Sequence, residues 1–340
     1  MKFRMKITII IGIVLAISVI SFIYLTFSAP STSQRTQNVI LEIPKHAGLK
    51  DIAFKLESAG VIKSHNLFIL SVLLRGDKNK LKAGEYEFKP GDSLNLIIEK
   101  LVMGDVIVRK ITIPEGYTIN EIAVLLERDG VMSKEAFLEK AHSGELAKEL
   151  LGDRFTSFEG YLFPDSYSYK KGIAPEELIR IMVSKFKEIY KPLRAKSGEL
   201  DLTDREIVTL ASIIEKETGN ASERPLVSAV FYNRLILGMR LESDPTVIYG
   251  MSSFDGNLRK KDLTIETEYN TYVIFGFPPG PISNPGKGSL ESALNPAHVN
   301  YPYFVSRGDG THEFSSNYTD HRRAVTEYQK GLSSNGKKPQ

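Results

Sequence analysis

Two glutamates, Glu215 and Glu217, close an apolar run, Leu210-Ala211-Ser212-Ile213-Ile214, and the run stops at Gly219-Asn220. A carboxyl group at the edge of an apolar face loses hydration, which penalises its charged form and raises its pKa. A carboxyl still protonated near neutral pH can act as a general acid. At about 100° per residue, Ile207, Leu210, Ala211 and Ile214 form an inward stripe, Lys216 points away, and Glu215 and Glu217 fall on opposite flanks. Either could line a cleft, and both also fit solvated positions near a helix end. Periodicity leaves the two tied.

Other chemistries find little support. The chain has no cysteine, which excludes disulfides, thiol nucleophiles and thiolate metal sites. The six histidines show no metal-ligand spacing such as HExxH. No phosphate-cradling glycine loop and no GxSxG elbow is present, so neither a metal nor a cofactor is expected. A net charge of +3, from 44 basic and 41 acidic residues, gives no case for nucleic acid.

Several elements must position the glutamates. Thr203 followed by Glu206 forms a capping box that starts the helix from Asp204 to Thr218. An amphipathic helix is expected from Pro175 to Tyr190, with Leu178, Ile179, Met182, Val183 and Phe186 inward, and a polar loop from Lys191 to Asp201. Ser222 reads as the cap of a helix from Glu223 to Leu237, ended by Gly238. Met239 to Ser315 is Gly/Pro-rich with short strands, including a hairpin from Tyr303 to Phe314 around Asp309-Gly310. A last helix spans Thr319 to Gly331.

The N-terminal half repeats itself. Ile43-Pro44 opens a segment that closes on Gly60-Val61-Ile62, and Ile113-Pro114 opens one that closes on Gly130-Val131-Met132. Between them Leu49, Ile52, Ala53 and Leu56 match Ile119, Ile122, Ala123 and Leu126, a helical spacing that marks one buried face. Lys89 to Leu101 is a shorter echo. Leu81 to Phe88 and Val106 to Ile113 alternate as strands do. The strand-helix-helix-strand order from Val39 to Phe88 resembles a LysM-like module, a glycan binder elsewhere. A spacer without ligand fits it equally.

At the N-terminus, Lys2, Arg4 and Lys6 precede an uncharged run from Ile7 to Phe27. At about 1.5 Å per residue such a run spans roughly the 30 Å hydrocarbon core of a bilayer. It reads as an uncleaved single-pass anchor, its basic end cytoplasmic and the bulk of the chain periplasmic or extracytoplasmic.

The run Ala211 to Gly219 resembles the catalytic helix of lysozyme-like lytic transglycosylases, in which an apolar run ends in a glutamate followed by Ser or Thr. Glu159-Gly160-Tyr161-Leu162-Phe163-Pro164-Asp165, Asn233-Arg234-Leu235, Ser243-Asp244-Pro245-Thr246, Tyr269-Asn270-Thr271-Tyr272 and Gly276-Phe277-Pro278-Pro279-Gly280-Pro281 extend that resemblance. Together they resemble the endolytic murein transglycosylases, the YceG-like family, over nearly the whole chain. The resemblance implies cleavage of the MurNAc-β-1,4-GlcNAc bond in nascent peptidoglycan, leaving 1,6-anhydro-MurNAc ends. It implies Glu217 as the acid, with Thr218, Asp244, Thr246, Tyr269, Asn270, Thr271, Tyr272, Glu159 and Tyr161 as substrate-binding residues. Expected partners are peptidoglycan strands, peptidoglycan synthases and the inner membrane.

The fold expected is α+β: a transmembrane helix, a LysM-like α+β region beside the membrane, and a lysozyme-related mixed α/β catalytic domain. The boundaries read as a cytoplasmic N-terminus 1–6, anchor 7–27, tether 28–38, LysM-like domain 39–105, second repeat and connector 106–155, catalytic domain 156–332 and disordered tail 333–340. A hydrolytic muramidase pairing Glu217 with Asp244 or Glu215, and a non-catalytic glycan-binding scaffold, are the alternatives.

Overall fold

The structure is a computed structural model that describes residues 36–198 and 201–330. The expected anchor 7–27, most of the tether and the tail lie outside the described residues. Among the described residues no helix is long and apolar enough to cross a membrane.

The chain divides into two compact units. The first runs to Lys110 and also takes in Ser168–Lys171. It is built from β1 (Val39–Ile43), α1 (Leu49–Ser58), α2 (His65–Leu74), β2 (Gly84–Phe88) and α3 (Leu94–Met103). β1 and β2 pair antiparallel, Val39 opposite Phe88 and Ile43 opposite Gly84. Ser64 and Ser93 cap α2 and α3 by accepting from the N–H groups of Leu67 and Leu96. Ile52, Leu56, Phe68, Val72, Tyr86, Phe88, Ile97 and Leu101 close one apolar core. Of the expected stripe, Ile52, Ala53 and Leu56 are buried and Leu49 is half-buried.

β3 (Val108–Thr112) and β4 (Ser166–Lys170) form a two-stranded ribbon. β4 is an addition to the sequence reading, which places no strand over the aromatic, turn-rich segment from Glu159 to Tyr169. Its Tyr167 and Tyr169 are buried and alternate with exposed neighbours, the period of a half-buried strand.

The second unit holds α4 (Ile119–Arg128), α5 (Lys134–Ala141), α6 (Gly144–Leu151), α7 (Pro175–Lys196), α8 (Asp204–Glu217), α9 (Arg224–Ile236), α10 (Asp244–Gly250), α11 (Lys287–Leu294) and α12 (Tyr318–Val325). Strands β5 (Tyr303–Ser306) and β6 (His312–Ser315) make the expected hairpin, Tyr303 opposite Ser315. Three expectations need correction. α7 does not stop at Tyr190 but runs on through Pro192 to Lys196. Ser222 does not cap α9: its N–H and hydroxyl both bond to Asn220 Oδ1, and Glu223 takes the cap position. The Gly/Pro-rich stretch after Met239 contains two helices, α10 and α11, each too short for a helical period to stand out.

α8 is the centre of this unit. Every residue from Ile207 to Ile214 is buried, a wider face than the predicted stripe. α7, α9 and α11 surround it, with Phe186, Phe231, Leu290 and Leu294 among the packing side chains. Each large aliphatic group buried there contributes about 1.5–3 kcal/mol. The polar residues on α8 are satisfied locally. Thr209 donates to Arg205 O at 2.8 Å and Ser212 to Thr209 O at 2.7 Å, while Ser212 also accepts the Ile282 N–H at 3.0 Å. Those bonds tie the Pro-rich segment against the helix.

Candidate active site

Glu217 is the last residue of α8, and Thr218 turns the chain into extended backbone at φ −141°. The helix therefore delivers the carboxyl at its C-terminal end, where the peptide dipoles disfavour negative charge. Burial pushes the Glu217 carboxyl up to about 7 from an ordinary 4.5. A hydrogen bond from Ser243 and the charge of Arg234 oppose the rise, and the nearby Asp244 carboxylate adds to it. Burial wins, so the group is close to half protonated at neutral pH.

The donor to Glu217 Oε1 is the Ser243 hydroxyl. Ser243 precedes α10, is 1% exposed, and is held from several sides. Its N–H donates to Thr271 Oγ1 at 2.9 Å, and its carbonyl accepts from Thr246 Oγ1 at 2.7 Å. The two threonine hydroxyls lie 2.8 Å apart. Just before it, Glu242 sits at φ +48°, a left-handed conformation costly for a residue with a Cβ. The strain is held by the Glu242 N–H on Thr271 O at 3.2 Å and the Glu242 carboxylate on Arg234 at 3.0 Å. Arg234, buried on α9, also bonds Pro302 O and Leu241 O at 2.8 and 3.0 Å. The Ser243 hydroxyl is thus fixed in front of Glu217 by a network built from three segments.

Around this pair the structure gathers Asp244, Thr246, Thr271 and Tyr272. Asp244 is exposed, and its Oδ1 accepts the Tyr272 hydroxyl at 2.7 Å. Thr246, Asn270 and Thr271 are fully buried. Asn270 uses its amide on Leu263 O and Ile265 O at 3.1 and 2.7 Å, and its oxygen on the Tyr272 N–H at 2.9 Å. These three organise the loop from inside. Thr218 is also buried, and its hydroxyl accepts the Asn220 N–H at 3.0 Å to shape the turn after α8. Tyr269 packs its ring on Tyr249 at 4.8 Å.

Glu215 occupies a different environment. Its Oε2 accepts the Gly286 N–H at 2.9 Å, at the start of α11, where the helix dipole favours an anion. Its Oε1 lies 3.5 Å from Arg224, and its side chain is 7% exposed. The carboxylate pins α11 to α8.

Glu159 is 7% exposed. It accepts the Ile119 N–H at 3.1 and 3.2 Å, the Asn284 amide at 3.1 Å and the Tyr249 hydroxyl at 3.2 Å. Burial outweighs these donors and lifts its carboxyl to about 8. Both oxygens are used by protein groups, so a sugar-contacting role does not fit. Of its donors, Tyr249 lies on α10, the helix that Ser243 precedes. The neighbouring Gly160 stands at φ +89°, and a Cβ there would come within 2.5 Å of Pro281. Tyr161 is buried beside Phe155 and Phe186, in a different set of contacts from Glu217.

Sequence reasoning missed Ser243 and Arg234 as site residues. Ser243-Asp244-Pro245 is a recognisable helix start, but only tertiary packing aims that hydroxyl at Glu217. Among the described residues no group of three or more side chains could hold a metal ion.

The sequence matches a known family. The model of the YceG-like family matches residues 41–327. The chain is 31% identical over 314 residues to a Bacillus subtilis protein named endolytic murein transglycosylase, covering 88% of this chain and 87% of that one. It is 29% identical over 331 residues to a Streptococcus pneumoniae protein of the same name, of which it spans 60%. A 2.6 Å crystal structure of a yceG-like protein from Listeria monocytogenes superposes with a TM-score of 0.58 at 31% identity, covering 85% of this chain and 99% of that one. With the family model spanning most of its length, the chain belongs to the YceG-like family.

Proposed function

We propose that this protein is an endolytic murein transglycosylase and that Glu217 is its acid and base. The observation that carries the reading is the Glu217 carboxyl, pushed up to about 7 by burial and held by the fixed hydroxyl of Ser243. A glycosidic oxygen leaves only as it is protonated, and a neutral Glu217 supplies that proton to the departing GlcNAc oxygen. The bond from the MurNAc anomeric carbon breaks. The MurNAc 6-hydroxyl then attacks that carbon, and the Glu217 carboxylate takes its proton. The 1,6-anhydro ring closes, and the glutamate ends as it began. Because the nucleophile is tethered to the electrophile, its effective concentration is high and water is not consumed. One carboxyl therefore suffices, where ordinary glycoside hydrolases use two.

Asp244 supports a second reading. It is an exposed carboxylate close enough to raise the Glu217 pKa, and it could direct a water in a hydrolytic muramidase.

The cellular setting belongs to the same proposal. The uncharged run Ile7 to Phe27 anchors the chain in the inner membrane, with the catalytic part outside. There it meets nascent strands beside the synthases that make them. The LysM-like strand-helix-helix-strand arrangement of residues 39–88 supports glycan binding by that region.

The test is digestion of purified peptidoglycan with wild type, E217Q and E215Q. Glu217→Gln abolishes fragment release while the fold persists. If Glu215→Gln removes activity and Glu217→Gln does not, the assignment is wrong.

A further inference from the structure

Glu217 leaves unused a cavity of about 830 Å³ lined by the first turn of α8, by α7 and by the chain around Arg154. From Asp204 in that first turn to Glu217, α8 rises about 20 Å, so the cavity is separate from the acid. Its apolar wall is aromatic: Phe155, Tyr161, Phe186 and Tyr190. Their rings meet in sequence, edge to face from Phe155 through Tyr161 to Phe186 and stacked from Phe186 to Tyr190, with centroids 5.1–5.3 Å apart. Size and lining suit a ligand site.

Its charge is one-sided. Arg154, Lys187, Lys191, Arg194 and Arg205 line it, against one carboxylate, Asp204. Asp204 is already engaged by the Tyr190 hydroxyl at 2.9 Å and by Arg194 at 3.0 Å. Arg154 and Lys191 are exposed and have no partner among the described residues. Lys187, Lys191 and Arg194 recur at helical spacing and lay one basic stripe about 10 Å long on α7. Cations spread over that length, with others on two further segments, suit several separated anions better than one point charge. The Tyr161 hydroxyl is buried and has no hydrogen-bond partner among the described residues. Such a group costs about 1–3 kcal/mol, a cost that a ligand atom reaching it would relieve; the exposed Arg205, whose charge acts on it, donates to Pro279 O.

We propose that this cavity is a second binding site, for an acidic peptide whose carboxylates meet Arg154, Lys191 and Arg205 while its apolar parts lie on the Tyr161–Phe186 wall. The site does not depend on the role of Glu217.

The experiment is fluorescence anisotropy with the full-length chain and a labelled Ala-Glu-Ala-Glu-Ala peptide. Wild type and E217Q should bind alike. R154A/K191A should bind at least about tenfold more weakly, the loss expected for two charge-assisted contacts. K260A/K261A, which removes two exposed lysines outside the cavity, should bind as wild type does. Y161F should bind several-fold more weakly yet melt at a higher temperature, because it removes the unpartnered hydroxyl. The proposal is overturned by absent binding, by equal loss in both double variants, or by loss in E217Q. It is also overturned if inorganic phosphate, or vesicles of anionic phospholipid, displace the peptide at equal concentration of anionic groups.

Discussion

Replacing Glu217 by glutamine should remove activity and at the same time stabilise the protein at alkaline pH. The carboxyl is raised from 4.5 to about 7 in the folded chain. A raised carboxyl binds its proton more tightly folded than unfolded, so stability falls as pH climbs between those two values. At about 1.36 kcal/mol per pKa unit the full penalty is on the order of 3 kcal/mol. Glu217 keeps some contact with solvent, so about 1–3 kcal/mol is the expected range. Glutamine does not titrate, and the other groups, Glu159 included, titrate alike in both proteins and cancel in the difference. Urea denaturation of wild type and E217Q at pH 4 and pH 8 reads it directly. The stability of the variant relative to wild type should rise by about 1–3 kcal/mol between the two, while fragment release falls by a factor of about 10²–10⁴. A pH-independent difference, or a variant that loses ground at pH 8, would refute the claim that burial holds this carboxyl partly neutral.

Ser243→Ala removes the hydrogen bond that lowers the Glu217 pKa, so the alkaline limb of kcat/KM, near pH 7 in wild type, should move to higher pH. An unmoved limb in the pH–rate profile would show that Ser243 does not act on Glu217. Glu159→Ala strands the donors of Ile119, Asn284 and Tyr249 and should cost about 3 kcal/mol or more in urea denaturation. Its residual activity should keep the alkaline limb in place, since Glu159 touches other groups than Glu217. Gly160→Ala combines a φ of +89° with a Cβ within 2.5 Å of Pro281, and should lower the melting temperature markedly. A melting curve like that of wild type would mean the Pro281 segment moves aside freely.

Local signals carried much of the fold. The Thr203–Glu206 capping box, the repeated Ile52/Leu56 stripe and the Asp309-Gly310 turn each encode their element within a few residues. α10 and α11 escaped because they are short and rich in Gly, Ser and Pro. They are helical through the packing of Val247 and Leu290, which local pattern cannot report. α7 passed its expected end because Pro192 is tolerated once the surrounding turns are packed. At the site, periodicity left Glu215 and Glu217 equivalent, since both flank the same stripe. What separates them is nonlocal: Gly286 and Arg224 engage Glu215, whereas Ser243 and a buried surround meet Glu217. Those partners lie between 9 and 71 positions away in sequence, from Arg224 and Gly286 beside Glu215 to Ser243 beside Glu217. Glu159 and Asn270 read as sugar ligands because the family resemblance covers the segments that carry them. Their bonds point inward instead, which only the folded chain reveals.

The most direct test of the central claim is mass analysis of the glycan ends released by wild type from purified peptidoglycan in oxygen-18-labelled water. If the MurNAc 6-hydroxyl is the nucleophile and Glu217 its acid and base, the new ends are 1,6-anhydro-MurNAc, carry no label, and are absent with E217Q. Reducing MurNAc ends bearing oxygen-18 would contradict the account and point to a water directed by Asp244.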